Sequence, residues 1–399
     1  SAYQFYGDGS NLTGAGFSQD STGNLVAGTG AGAAIDSDTC LNIMIGCNAG
    51  AALNAGDHNI FMGCNSGAAI TSASQSIFIG KYSGSCTAIT GNGNIGLGEE
   101  TGRKLSSGEY NIFMGHKAGS EATTIEDSVF LGTEAGEKRQ SGNFNVAIGN
   151  NALKGHSTAS NNTANNNVAI GNYAGTAVQG GGGNVLIGCG TGCALTSGTL
   201  NVVIGHDAGK ALTVCGDNVM VGPYAGNDTT GISNVFMGYD AGHTVTTGCY
   251  NIALGRDALG DSAGTTGNHN FAVGYSAGEK VTSGENNLIM GYFAGGKLTT
   301  GGHNIYLGQG AGCGNTTTSN GIMIGQSAGE NISGGSNIFM GYLAGQSSGT
   351  AADNDASFNV SIGYESGKLL TDGDRNIFLG RDAGSSVTTG CNNIYFGYF

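Results

Sequence analysis

The sequence predicts an all-β chain wound as a parallel β-solenoid, or β-roll, of about 22 coils of roughly 17 residues each. Three observations carry that expectation: an excess of glycine, a short unit that recurs along nearly the whole chain, and an apolar triplet at the same place in each unit. Glycine supplies 78 of 399 residues against one proline, and charged residues only 11%. Each glycine inside a helix costs roughly 1 kcal/mol relative to alanine, so a helix-rich chain is excluded. Collagen is excluded as well, because glycine does not fall at every third position. Disorder fits poorly with a 39% hydrophobic content that is periodic rather than scattered.

The unit reads Asn, three apolar residues, Gly, two variable residues, Ala, Gly, then a Thr/Ser/Gly-rich return, as in Asn42-Ile43-Met44-Ile45-Gly46 and Asn59-Ile60-Phe61-Met62-Gly63. It occurs 22 times between residues 24 and 399, and 14 of the 21 intervals are 17 residues. The glycine after the triplet is present in every copy, from Gly28 to Gly397. The opening asparagine is replaced only at Ser76, Ser128 and Gly321, and the later glycine only at Leu153 and Leu259. Seventeen residues are too few for a helical hairpin repeat and suit one coil of two short strands and two turns. The glycines mark corners needing positive φ or close backbone approach. Asparagines in register on successive coils are expected to form an amide ladder. At about 4.8 Å per coil, 22 coils would make a rod of roughly 100 Å. Residues 1–23 lack the unit and form a separate segment, expected to dock or plug, ahead of the repeat domain of residues 24–399.

A half-buried strand alternates apolar and polar residues, whereas here all three strand positions are apolar in nearly every copy. Such runs belong to sheets covered on both faces. The middle residues Phe61, Phe78, Phe113, Phe130, Phe236, Phe339 and Phe378 are therefore expected to form a stripe that other chains must cover, in an intertwined or side-by-side homo-oligomer.

Asn145-Val146-Ala147-Ile148-Gly149 and Asn167-Val168-Ala169-Ile170-Gly171 resemble the head repeats of trimeric autotransporter adhesins, the YadA-like family. Gly291-Tyr292-Phe293-Ala294-Gly295 with Thr299-Thr300-Gly301 resembles repeats of viral and phage tail fibres. Residues 5–14, Phe5-Tyr6-Gly7-Asp8-Gly9-Ser10-Asn11-Leu12-Thr13-Gly14, resemble a segment of tail-fibre-like proteins of phages infecting cyanobacteria. The resemblance implies a parallel β-roll homotrimer that mediates attachment. The adhesin unit is usually shorter than 17 residues, and the sequence has no coiled-coil stalk or membrane-anchor pattern, which favours the viral fibre.

Little points to chemistry, and no enzyme is expected. The seven histidines form no metal-binding spacing, and no nucleophile elbow is present. Asp8-Gly9-Ser10-Asn11 reads as a turn rather than a calcium loop, and no metal or cofactor is expected. The net charge of −14 argues against a nucleic-acid partner, and no apolar run reaches 18 residues, so no membrane insertion is expected. Cys47 and Cys64 share a repeat position on adjacent coils, which places their Cα atoms about 5 Å apart, within disulfide reach. The pairs Thr246-Thr247, Thr299-Thr300 and Thr388-Thr389 precede a glycine, a place for a turn rather than a flat ice-binding ladder. Both 22-residue intervals insert about five residues in the return turn, at 155–166 and 346–358. Solenoid insertions are extruded, so Asn161, Asn162, Asn165, Asn166, Asp353, Asn354 and Asp355 are expected to contact a receptor or glycan. The expected function is a fibre attaching to a cell-surface receptor or glycan, located outside the cell or on a virion. The alternative is a purely structural extracellular filament protein, stacking end to end through uncapped solenoid ends.

Overall fold

The computed structural model describes the backbone of residues 18–156, 162–260 and 264–398. The chain divides into two units, residues 1–180 and 181–399. Each is a parallel β-solenoid in which every repeat contributes one three-residue strand. Unit 1 begins with β1 (Ser18–Gln19) and β2 (Leu25–Ala27) and runs to Val168–Ile170. Unit 2 runs from Val185–Ile187 to Ile394–Phe396. Neighbouring strands pair in register, so Ile43, Met44 and Ile45 lie beside Ile60, Phe61 and Met62. The expected second strand is absent among the described residues, and the rest of each coil is stacked turns. Turns suffice because their backbone groups bond up and down the stack, as in Gly50 N to Ser66 O at 2.9 Å and His58 N to Cys40 O at 3.2 Å. Among the described residues the one antiparallel pairing joins β1 to β2, so residues 18–19 cover the outer edge of the first coil.

We number coil positions from the opening asparagine. Position 1 points inward and is buried in nearly every coil. In the third coil, the Asn59 Oδ1 accepts the Ser76 N–H at 2.9 Å, and the Asn59 Nδ2 donates to Asn42 Oδ1 at 3.0 Å and to Ala73 O at 2.8 Å. The last bond ties the strand to the final turn of its own coil, so the amide both stacks and closes the ring. Where serine replaces asparagine its hydroxyl keeps the acceptor role, with Asn94 N donating to Ser76 Oγ at 3.2 Å and Asn145 N to Ser128 Oγ at 3.1 Å. The expected ladder is present in both units.

The strand's middle residue lies two places after the inward asparagine and shares its face. Phe61, Phe78, Phe113, Phe130, Phe236, Phe339 and Phe378 are accordingly 0% exposed, inside the coil of their own chain. This corrects the expected stripe, since those seven rings form the solenoid core and offer nothing to a second chain. They share the core with the buried alanines of position 8 and the apolar residues of position 12, such as Leu53, Ile70 and Leu105. The single glycine in the column, Gly96, makes room for a ring, because a Cβ there would sit 2.5 Å from Phe78 Cδ1. The outward face belongs to the first and third strand residues, for example Met62, Ile79, Met114, Met237, Met290 and Met340, at 36–44% exposure.

The glycine of position 5 has φ between 117 and 140°, and in Gly205 a Cβ would lie 2.3 Å from the backbone oxygen of Gly222 one coil on. No side chain fits there. The position-9 glycine is left-handed, and its two replacements, Leu153 and Leu259, hold the same conformation at φ 44° and 49° while fully buried. Positions 7 and 17 are left-handed too, although side chains such as Tyr82, Lys117 and Leu200 occupy them.

Candidate functional site

The inserted turns were the expected contact surface, and their residues divide. Asn162 is 0% and Asn354 1% exposed. Asn162 Nδ2 donates to Lys138 O (2.9 Å) and His156 O (3.0 Å), while its Oδ1 accepts from His156 N (3.0 Å). Asn354 Nδ2 donates to Asn331 O (2.9 Å), Ser348 O (3.3 Å) and Thr350 O (2.8 Å). Both amides are consumed in holding the turn to the coil below, so neither is available to a glycan, and that expectation is corrected. Asn165, Asn166, Asp353 and Asp355 are exposed. Asn165 Oδ1 already accepts from Asn143 N (2.7 Å), and Asp353 from the Thr350 hydroxyl (2.6 Å). Asn161 lies outside the described residues.

Beneath the first insertion sits a residue that pattern reading did not single out. Arg139 occupies position 12, elsewhere mostly Leu, Ile or Val, and is fully buried. Its Nη atoms donate to Ala164 O at 3.3 Å and Val178 O at 3.2 Å, and its Nε has no partner. Burial pulls its pKa down to about 10, so the guanidinium stays charged at neutral pH. The only signal in the sequence is its register, eleven residues after Ser128.

Other groups are dispersed. Among the described residues no three His, Cys, Asp or Glu side chains gather as a metal site. All ten cysteines, Cys47 and Cys64 included, are free thiols. The threonine hydroxyls of the return turn bond within the stack, Thr246 to Thr265 O at 3.2 Å and Thr299 to Thr316 O at 2.8 Å. Unit 2 carries a shallow cleft of about 290 Å³ lined by Asp240, His243, Asp257, Tyr275, Phe293 and Glu279 among others. No described helix is long and apolar enough to cross a membrane.

Each unit presents an organised apolar surface, the outward face of its sheet. Its two columns are apolar in every coil, from Leu25 and Ala27 to Val168 and Ile170 in unit 1 and from Val185 and Ile187 to Ile394 and Phe396 in unit 2. Exposed aromatic residues border it, Tyr110, Phe144, Tyr250 and Phe358 before the strand and Tyr239, Tyr275, Tyr292, Tyr342 and Tyr364 after it. No family model, no curated protein and no solved structure matches the chain.

Proposed function

We propose that the chain is a structural fibre subunit that works as a homo-oligomer in attachment to a cell-surface receptor or glycan, outside the cell or on a virion. The observation that carries this reading is the outward apolar face. The described residues of unit 2 form thirteen strands. With two outward side chains per strand exposing on the order of 40–50 Å² each, the face offers roughly 1,000 Å², more than a monomer's usual apolar patch and enough for one side of a stable interface. A partner must carry ridges at the same coil-to-coil pitch to interdigitate along the columns, and a second copy does. Three chains are what the resemblance to adhesin and tail-fibre repeats implies. Each weak receptor contact would then recur on every chain and gain by avidity.

Sedimentation of the full chain tests the assembly. The expected result is an oligomer that Met237→Glu with Met290→Glu dissociates while the circular dichroism spectrum stays β-rich. A wild-type monomer at micromolar concentration overturns the assembly. Attachment is read separately, by binding of the assembled protein to host cells or a glycan array, and absence of binding leaves a purely structural filament.

A further inference from the structure

The residue after the position-5 glycine forms an exposed column, and in unit 2 that column is rich in tyrosine and arginine. Tyr275 and Tyr292 stack with ring centroids 5.4 Å apart and planes within 16°. Tyr342 and Tyr364 do so at 5.1 Å and 21°. All four rings are 40–54% exposed. Arginines bound both pairs: the Arg256 guanidinium lies over Tyr239 at 5.3 Å and over Tyr275 at 5.8 Å, and that of Arg381 over Tyr364 at 5.1 Å and over Tyr398 at 5.4 Å. The column thus holds two tyrosine pairs in direct contact, each set off from a single tyrosine by an arginine and from the other pair by Gln309 and Gln326.

We propose that Tyr275–Tyr292 and Tyr342–Tyr364 are sites of oxidative tyrosine cross-linking, each closing a covalent staple between adjacent coils. The oxidant is a peroxide acting through a haem peroxidase or a comparable one-electron oxidant. Each phenol loses one electron and its hydroxyl proton, and the two phenoxyl radicals join through a carbon–carbon bond between ring positions next to the oxygens. The two ring hydrogens at the new bond migrate to the oxygens, restoring both phenols. In sum the pair gives up two electrons and two protons, which reduce one hydrogen peroxide to two waters. Holding the rings together replaces a chance encounter of two radicals with an intramolecular step. The Glu365 carboxylate, next in sequence to Tyr364, raises that phenol's pKa above its ordinary value. The second pair also flanks the inserted turn 346–358, so its link would clamp the coil at its longest excursion.

The test treats the full chain with hydrogen peroxide and a haem peroxidase at two protein concentrations tenfold apart, with fluorescence of the coupled phenols and mass spectrometry of proteolytic fragments. Two intrachain links are expected, each two hydrogens lighter than its parent fragments, formed at a rate independent of concentration. Tyr364→Phe should remove one link, Tyr275→Phe the other, and the double variant both, with the β-rich spectrum unchanged. Links only between chains overturn the proposal, as does coupling that prefers Tyr239 or Tyr398 or no coupling at all. The Tyr224–Tyr239 pair, 5.9 Å apart and edge-on at 80°, is the internal control for geometry.

Discussion

The two inserted turns, one in each unit, are built alike around unlike foundations. In each, a buried asparagine reaches the carbonyl at position 11 of the coil below, Lys138 for Asn162 and Asn331 for Asn354. Each also bonds a carbonyl six residues earlier in its own turn, His156 and Ser348. A left-handed glycine opens both, Gly155 at φ 85° and Gly349 at φ 97°. The core residue beneath differs: a charged Arg139 under the first and an aliphatic Ile332 under the second, both 0% exposed. The contact at the base differs in kind, since Lys154 pairs with Glu134 at 2.6 Å and Glu137 at 3.3 Å, whereas Gln346 donates to Glu330 at 2.9 Å. An inserted turn therefore requires the asparagine plug, while the ionic parts are features of one turn only.

The largest effect should be the same for both turns. Gly149→Ala and Gly341→Ala would place a Cβ 2.5 Å and 2.4 Å from the backbone oxygen of Gly171 and Gly363 in the next coil. Rigid carbonyls on a stacked strand cannot yield, and φ is 130° and 137°. Each substitution should cost about 3 kcal/mol or more in chemical denaturation of its unit. A loss under about 1 kcal/mol at either site would show that the stack is softer there.

Removing the plugs comes next. Asn162→Ala and Asn354→Ala each strip the amide donor from part-buried backbone carbonyls, at about 2 kcal/mol apiece. Hydrogen exchange of the amides in the coil below should accelerate by similar factors in the two variants. A strong effect at one turn and none at the other would end the comparison.

Much of this was legible in the sequence, and the misses share one cause. The coil count, the asparagine ladder and the invariant corner glycine follow from repetition, because a demand imposed 22 times is visible even in a single chain. Which face of the triplet is buried did not follow, since Ile60, Phe61 and Met62 are all apolar and periodicity is silent. The signal was present one residue earlier: an inward Asn59 forces Phe61 inward and Ile60 and Met62 outward. The left-handed positions 7 and 17 were hidden because Lys117 or Tyr110 adopts there what glycine usually advertises. The plugs were hidden too, because asparagine suits an exposed turn as well as a buried one.

Arg139 allows a finer test. If its charge is incidental to the first turn, Arg139→Met should be neutral or stabilising by about 1 kcal/mol, because an apolar chain of similar length avoids burying an unpaired guanidinium. Arg139→Ala loses the same two bonds, to Ala164 O and Val178 O, and should instead destabilise by about 3 kcal/mol, since it also opens a cavity that methionine fills. Losses of equal size in the two variants would mean that the guanidinium's bonds, and not its volume, hold the turn.

The smallest effect separates the turns by pH. Lys154, hydrogen-bonded to Glu134, holds that carboxyl below its ordinary value, and Glu134 in turn raises the Lys154 amine. A depressed carboxyl contributes stability that is fully present above its unfolded pKa and is lost as pH falls through its folded pKa. The raised amine contributes stability that is fully present below its unfolded pKa and is lost as pH rises through its folded pKa. The pair should therefore weaken at the acid end, beneath the usual carboxylate range, and at the alkaline end, above the usual lysine range, with a plateau between. Both side chains are about 30% exposed, so the contribution should stay under about 1 kcal/mol and shrink with added salt. Lys154→Gln recreates the amide of Gln346 and should flatten the first turn's protection factors, its exchange relative to an unstructured peptide, against pH and salt. If the wild-type first turn is already insensitive to both, the ion pair adds nothing that the amide at the second turn lacks.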